Sequence, residues 1–374
     1  MHQLRITAGD DYRGLDEWLG NIAPKCVFLV CDPSLAFLTR FNRKLEELEG
    51  RYRIVRFSDF QPNPLYESVI RGVEAFREAG ADAIMAVGGG SAMDVAKCIK
   101  LYAGMPPGSD YLRQPIVPKA IPFLAMPTTA GTGSEATQFA VIYRDGAKQS
   151  IADDSCIPSA VLLDPSCLDT LPAYQKKSTM MDALCHAVES FWSVNSTEES
   201  RGYSREAIRK VLANMEACLA NEPDGNAGML DAANLAGRAI NITQTTAGHA
   251  MCYKLTSLFG IAHGHAAILC DRVLFPWMLE HTAQCIDPRG AGFLVDTAFR
   301  GISEAMQCPS PEAAAAKLDA IFRRLDLAVP AATETQFAEL CATVNPVRLK
   351  NHPVGLAAAD IDFLYRRILR AAEP

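Results

Sequence analysis

Residues 83–97 read AIMAVGGGSAMDVAK, and this stretch decides the fold. Five apolar residues without period-two alternation suit a strand buried on both faces of a parallel sheet. Gly88, Gly89, Gly90 and Ser91 then mark a tight turn, and Ala92 to Lys97 read as a helix start. Runs of the same kind lie outward on both sides: VFLV at 27–30, IVRF at 54–57, FLAM at 123–126 and AVLL at 160–163. Tyr66, Val69, Ile70, Val73 and Phe76 recur at helical spacing, which predicts a crossover helix before the 83–87 run. Strand, helix, strand in this order predicts an α/β domain with a mostly parallel sheet and ligands at the strand C-termini. Residues 137–150 differ: Arg144-Asp145-Gly146 between two β-tolerant arms predicts a hairpin.

Past about Pro172 the texture changes to long Ala-, Leu-, Glu- and Arg-rich stretches at a period of 3.6. The expected organisation is an α/β domain over 1–171 and an all-helical domain over 172–374, punctuated by turn clusters at 221–228 (NEPDGNAG) and 308–311 (CPSP). The length of 374 residues supplies two sizeable cores at roughly 150 residues per domain. Hydrophobic residues are 49% and charged residues 21%, which excludes a disordered chain. A formal charge of −7 with no basic block removes the electrostatic footprint of a nucleic-acid binder. The N-terminus has no charged n-region followed by an apolar h-region, and no run reaches ~18 apolar residues, so neither export nor a membrane span is expected and the reading is cytoplasmic. Twelve cysteines scattered without a C-x2-C pair read as small buried hydrophobes kept reduced.

Glycines let a backbone approach a pyrophosphate closely, and the N–H groups of a helix start favour an anion. The strand–GGGS–helix is therefore a candidate phosphate cradle or, without a ligand, a tight turn; it lacks the G-x-G-x-x-G spacing of the dinucleotide fingerprint. A second small-residue loop, PTTAGTGSE at 127–135, follows the FLAM run and faces the same end of the sheet. Asp32, at the end of the first run, is placed to accept from ribose hydroxyls and repel a 2′-phosphate, or simply to cap a turn.

Asp182 and His186 in MMDALCHAVESFW are spaced i, i+4 and project from one helix face. Downstream, HAMCYKLTSLFGIAHGHA carries His249, His263 and His265, three of seven histidines. The interval from His249 to His263 exceeds neighbouring turns, and a break at Gly260 is needed to fold the second histidine back. One carboxylate and three imidazoles suit a borderline divalent ion, iron or zinc.

GGGSAMDVAK, PTTAGTGSEAT, VLLDPSCLDTLP, MDALCHAVES and the distal H-x13-H, in that order over nearly the whole chain, resemble the iron-containing (group III) alcohol dehydrogenases. The resemblance implies a dinucleotide-binding α/β N-terminal domain, an all-helical metal-binding domain and a homodimer. It implies that Asp182, His186, His249 and His263 hold the divalent ion, Fe2+ first and Zn2+ second. It implies NAD(H) held by Gly88, Gly89, Gly90, Ser91 and Asp94 on the pyrophosphate side, Thr128, Thr129 and Thr132 on the nicotinamide side, and Asp32 for NAD preference.

Two positions depart from the family pattern: Tyr253 stands where many members have a further histidine, and His265 follows the HG of the fourth ligand. Either is a candidate proton donor, His265 ahead of Tyr253 because imidazole titrates nearer neutrality. The string YKLTSLFGIAHGHA resembles the phosphonoacetaldehyde reductase subgroup of phosphonate biosynthesis, which makes Lys254 the candidate contact for a phosphonate. The expected reaction is reversible hydride transfer between NAD(H) and a small aldehyde or alcohol, with phosphonoacetaldehyde as the expected substrate. A neutral small aldehyde is the alternative, and a lyase resembling dehydroquinate synthase comes further behind.

Overall fold

The glycine-bearing strand lies inside a six-stranded sheet of order β1 (Leu4–Thr7), β8 (Ala160–Leu163), β5 (Phe123–Pro127), β4 (Ala83–Gly88), β2 (Cys26–Cys31) and β3 (Arg53–Phe57). The structure, a computed structural model, describes residues 3–108, 110–344 and 349–372. Every pairing among these strands is parallel. Every residue of β2 and β4 is buried, which is why their sequences show no alternation. β1 is absent from the sequence expectation because LRIT at the sheet edge buries only Ile6.

Helices cover both faces of the sheet. Val69, Val73 and Phe76 of α3 (Tyr66–Glu78) join Val95 and Ile99 of α4 (Gly90–Ala103) in one core. Leu15, Trp18 and Leu19 of α1 (Arg13–Ile22) join Phe41, Leu45 and Leu48 of α2 (Thr39–Glu49) in the other. Each such side chain stabilises the fold by about 1.5–3 kcal/mol. The chain runs from β2 outward to β3 and then returns to place β4 on the other side of β2, with Cys31 opposite Val87. That reversal opens a crevice at the C-terminal ends of β2 and β4, where ligands of open α/β sheets bind. The expected hairpin is β6 (Phe139–Arg144) against β7 (Ala147–Ala152), and Asp145 and Gly146 both take the positive φ of its two-residue turn, 50° and 74°.

Contacts divide the chain into two compact units, Met1–Leu171 with Ala220–Leu230, and Pro172–Leu219 with Asp231–Pro374. The segment Ala220–Leu230 thus departs from the expected division, and Asn226 Nδ2 ties it to Asp169 Oδ1 at 2.8 Å. The cluster at 221–228 is also less of a turn than its composition predicts. Asn221 takes φ 61°, and Pro223 then opens helix α7 (Pro223–Thr243), as proline does at a first helical position. At 308–311, Ser310 caps helix Pro311–Arg324 by accepting from Ala313 N–H.

In the second unit α5 (Ala173–Trp192) is buried continuously from Met180 to Trp192 and packs against α6 (Glu198–Leu219) and α9 (His263–Glu280). Helix α8 (Ala247–Phe259), which packs on α9, stops at Gly260 with φ 65°, the left-handed cap that returns the chain to His263. All twelve cysteines are free, and no helix among the described residues is long and apolar enough to cross a membrane.

Candidate functional site

Three helices aim ligand atoms at one point in the second unit. Asp182 comes from the buried middle of α5, His249 from the first turn of α8, and His263 is the first residue of α9. Their ligand atoms all lie within 4.8 Å of one another. His249 Nε2 is 3.5 Å from Asp182 Oδ1, and His263 Nε2 is 3.9 Å from it. His186 stands beside this trio, its ring stacked on His249 at 4.4 Å, and is not part of the 4.8 Å cluster. The side chains of Asp182 and His249 are 3% and 1% exposed and that of His263 is 35% exposed, so the cluster opens toward solvent at His263.

Asp182 Oδ1 and His249 Nε2 are buried and have no hydrogen-bond partner among the described residues. A buried carboxylate oxygen and a buried imidazole nitrogen facing each other at 3.5 Å need positive charge between them, which a proton on the imidazole or a metal ion in its place supplies. The surroundings favour positive charge at this point. Burial alone pushes His249 down, but the carboxylates of Glu189 and Asp182 on either side raise it to about 10. Burial likewise opposes the charge on Asp182, yet His186, His263 and His249 hold its carboxyl well below the usual range. The donor set, a carboxylate and imidazoles, therefore fits a divalent transition-metal ion.

Glycines beside two candidate ligands make the convergence sterically feasible. A Cβ at Gly264 would run into Ser178 O and into Asp182, so the glycine lets the start of α9 lie directly on α5. A Cβ at Gly248 would run into Asp271 Oδ1 and Glu189 Oε1. Glu189, a further residue of α5, accepts from Thr246 N–H and Oγ1–H at 2.5 Å each, from His249 N–H at 3.0 Å and from His249 Nδ1–H. Against the cost of burial, the charge of His249 and these hydrogen bonds hold Glu189 ionised. Asp271, buried close to that charge, is pushed far up and stays neutral. The Glu189 spacing, seven residues after Asp182, is visible in the sequence, whereas its partner turn 57 residues on is not.

Of the two proton-donor candidates, the structure keeps only Tyr253 beside the cluster. Its ring stacks on His263 at 5.5 Å and 20°, on the open side. His265 does not hold the expected role. It is buried, its Nδ1 pairs with Tyr174 Oη at 2.9 Å and its Nε2 with Ala328 O at 2.8 Å, so both ring nitrogens are committed. Burial pushes its pKa down, against the Ala328 contact. With Nε2–H donating to the carbonyl, Nδ1 accepts from Tyr174, whose oxygen accepts in turn from Ala262 N–H at 2.9 Å. His265 therefore anchors the start of α9. Lys254 is corrected as well: five residues after His249 it lies ~140° round the helix, where Nζ pairs with Glu339 Oε1 at 2.6 Å.

In the first unit, the crevice at β2 and β4 gathers the other candidates. Asp32 Oδ1 accepts from Ser34 N–H at 2.9 Å and Oδ2 from Gly89 N–H at 3.0 Å, so this carboxylate both caps its turn and touches the glycine loop. A Cβ at Gly88 would run into the Asp32 carboxylate and Ala92. Gly89 caps α4, leaving Gly90 and Ser91 in its first turn. The hydroxyl loop lies across from it: a Cβ at Gly89 would be 3.7 Å from Thr129 Cγ2, and one at Gly90 3.2 Å from Thr132 Cγ2. Thr128 is buried, with Oγ1 at 3.3 Å from Ser34 Oγ.

Asp94 does not face a cofactor as expected. Its oxygens accept from Ser134 Oγ–H at 3.0 Å and Val141 N–H at 3.1 Å, which ties α4 to the hydroxyl loop. Lys97, which the sequence reading leaves unassigned, is buried and completes that tie through Ser134 Oγ, Thr137 Oγ1 and Phe139 O at 2.9, 3.0 and 2.7 Å.

Comparison with known proteins bears on both halves. Residues 5–165 match the family model for iron-containing alcohol dehydrogenase, and residues 176–346 match that for the C-terminal part of the Fe-containing alcohol dehydrogenase family. The chain is 32% identical to the phosphonoacetaldehyde reductase of Streptomyces viridochromogenes, over 77% of this chain and 78% of that protein. It is also 32% identical to aldehyde-alcohol dehydrogenase 2 of Entamoeba histolytica over 69% of this chain, and that match spans 31% of the longer protein. A crystal structure of sulfoacetaldehyde reductase from Bifidobacterium kashiwanohense in complex with NAD+ shares the fold, with a TM-score of 0.84, 24% identity and coverage of 99% of this chain and 98% of that one.

Proposed function

The chain belongs to the iron-containing alcohol dehydrogenase family, and from that membership we propose that it is a metal-dependent, NAD(H)-linked reductase of small aldehydes, phosphonoacetaldehyde first among them. The observation that carries the reading is the convergence of Asp182, His249 and His263, whose ligand atoms lie within 4.8 Å of one another, with Asp182 Oδ1 and His249 Nε2 buried and without a hydrogen bond among the described residues. Asp182, His249 and His263 hold the ion, with His186 alongside as the fourth candidate. A divalent ion bound there supplies Lewis-acid polarisation of the substrate carbonyl.

The net reaction consumes one aldehyde, one NADH and one proton and yields the alcohol and NAD+. The Gly88–Ser91 turn and the start of α4 bind the pyrophosphate through main-chain N–H groups at the N-terminus of the helix. Thr129 and Thr132 across the crevice line the nicotinamide side. Asp32 disfavours a 2′-phosphate by charge, which selects NAD over NADP. With both nitrogens of His265 committed, Tyr253 is the candidate to hand a proton to the product oxygen, a role its stacking on His263 supports.

The phosphonate substrate rests on the 32% identity to the Streptomyces enzyme. One observation favours a neutral aldehyde instead: Lys254, the cation nominated for the phosphonate, is paired with Glu339. The test is NADH oxidation by the chain loaded anaerobically with Fe2+, against phosphonoacetaldehyde, acetaldehyde, propionaldehyde, lactaldehyde and succinic semialdehyde. A preference for phosphonoacetaldehyde supports the reading, and a preference for a neutral aldehyde keeps the reductase and removes the phosphonate. No oxidation of NADH with any of them contradicts the reductase itself.

A further inference from the structure

We propose that Glu189 is a positioning residue of the metal site, fixing the tautomer and aim of His249 so that Nε2 presents its lone pair to the ion. This rests on the metal reading above and goes past it to a residue that touches no ligand, substrate or cofactor atom other than His249 and its turn. Asp182, His186 and Glu189 fall at i, i+4 and i+7 on α5, one stripe of a buried helix. Two of the stripe's members aim at the cluster and its environs, and the third reaches past it to the turn that carries His249.

The four hydrogen bonds of Glu189 all come from residues Thr246 to His249. Two of the donors, Thr246 N–H and His249 N–H, belong to the start of α8, so the carboxylate also caps that helix from outside. Thr246 Oγ1 accepts from Trp192 Nε1–H at 2.9 Å, which directs its own hydrogen to Glu189. A carboxylate receiving four donors has no lone pair left for the metal, so it is not itself a ligand. Its contact with His249 Nδ1–H keeps a proton on that nitrogen, so Nε2, 3.5 Å from Asp182 Oδ1, is the nitrogen whose proton a metal ion would displace. Gly248 is the steric condition of the arrangement, since a Cβ there would collide with the Glu189 and Asp271 carboxyl oxygens.

The test uses the whole 374-residue chain and Co2+ as probe, with chelator competition for the Kd and visible absorption for the coordination. Replacing the carboxylate by an amide keeps the shape of the side chain but sets an N–H donor where His249 and Thr246 also donate. Glu189→Gln is therefore expected to weaken Co2+ binding by about 10–100-fold, the usual range for an outer partner of a histidine ligand, and to shift the bound-ion spectrum. Unchanged Kd and spectrum with only a lower Tm make Glu189 a structural carboxylate and overturn the proposal. A readout that needs no variant is 15N-histidine NMR of the Zn2+-loaded wild-type chain. Nδ1–H with Nε2 bound to the metal supports the proposal, and the opposite tautomer overturns it. A wild-type chain that binds no Co2+ contradicts the metal reading itself, and this proposal falls with it.

Discussion

The two candidate sites are built from different parts of the polypeptide. In the first unit the crevice between β2 and β4 offers main-chain N–H groups at the start of α4, and its key positions are those without a side chain, Gly88, Gly89 and Gly90. In the second unit the cluster is made of side chains, one each from α5, α8 and α9, held by a further layer of buried polar groups. A main-chain site fails when a Cβ is added, and a side-chain site fails when a ligand is removed. Gly248 and Gly264 link the two rules, because the side-chain cluster also depends on two absent Cβ atoms.

The largest expected effect is loss of a ligand. His263→Ala should weaken metal binding beyond the ~10–100-fold of an outer partner and abolish turnover; metal content and NADH oxidation check this, and full occupancy with full activity breaks the side-chain half of the comparison. Next comes gain of a Cβ. Gly88→Ala, pressed against Asp32 and Ala92, should cost about 1–3 kcal/mol of local fit and raise the KM for NADH while leaving metal content unchanged. An unaltered KM would show that the crevice does not depend on its bare backbone.

His265→Ala tests whether anchoring and proton transfer are distinct. Leaving Tyr174 and the Ala328 carbonyl without their partner should lower stability by about 1–3 kcal/mol, read as a reduced Tm. A fall in kcat of about 100-fold or more at unchanged Tm would return His265 to the chemistry. Asp94 gives a pH signature confined to the first unit. Burial, against the opposing charge of Lys97 and the hydrogen bonds from Val141 and Ser134, raises its pKa from 3.8 to about 6. The folded chain therefore keeps the proton longer than the unfolded chain, and the associated stability is fully present below pH 3.8 and lost as pH rises through about 6. Asp94→Asn should flatten that decline in urea unfolding measured across the window; an unchanged slope places the titration elsewhere. The smallest effect is Lys254→Met, which should change KM alike for phosphonoacetaldehyde and propionaldehyde because Lys254 pairs with Glu339. A selective loss for the phosphonate would put Lys254 back at the substrate.

The same contrast explains what the sequence shows and what it conceals. Buried parallel strands and a glycine turn are local features, so AIMAVGGGSAMDVAK discloses β4, the turn and α4 without outside help. The candidate ligand residues are legible as residue types at helical spacing, and Gly260 discloses the fold-back that joins His249 to His263. What stays hidden depends on partners distant in sequence. Whether His265 is a donor or an anchor is decided by Tyr174 and Ala328, 91 and 63 residues away. Lys254 is decided by Glu339, and Asp94 by Ser134 and Val141. A side chain's chemistry is written in the sequence, but its commitments are settled by the packing.

The most direct measurement is metal content after anaerobic loading with Fe2+ and removal of free ion, for the wild-type chain and Asp182→Ala side by side. Asp182 carries the oxygen common to both short ligand separations, 3.5 Å to His249 and 3.9 Å to His263. The metal assignment predicts one ion per chain in the wild type and essentially none in the variant, with both chains folded by circular dichroism. Equal metal content in the two, or none in the wild type, would contradict it.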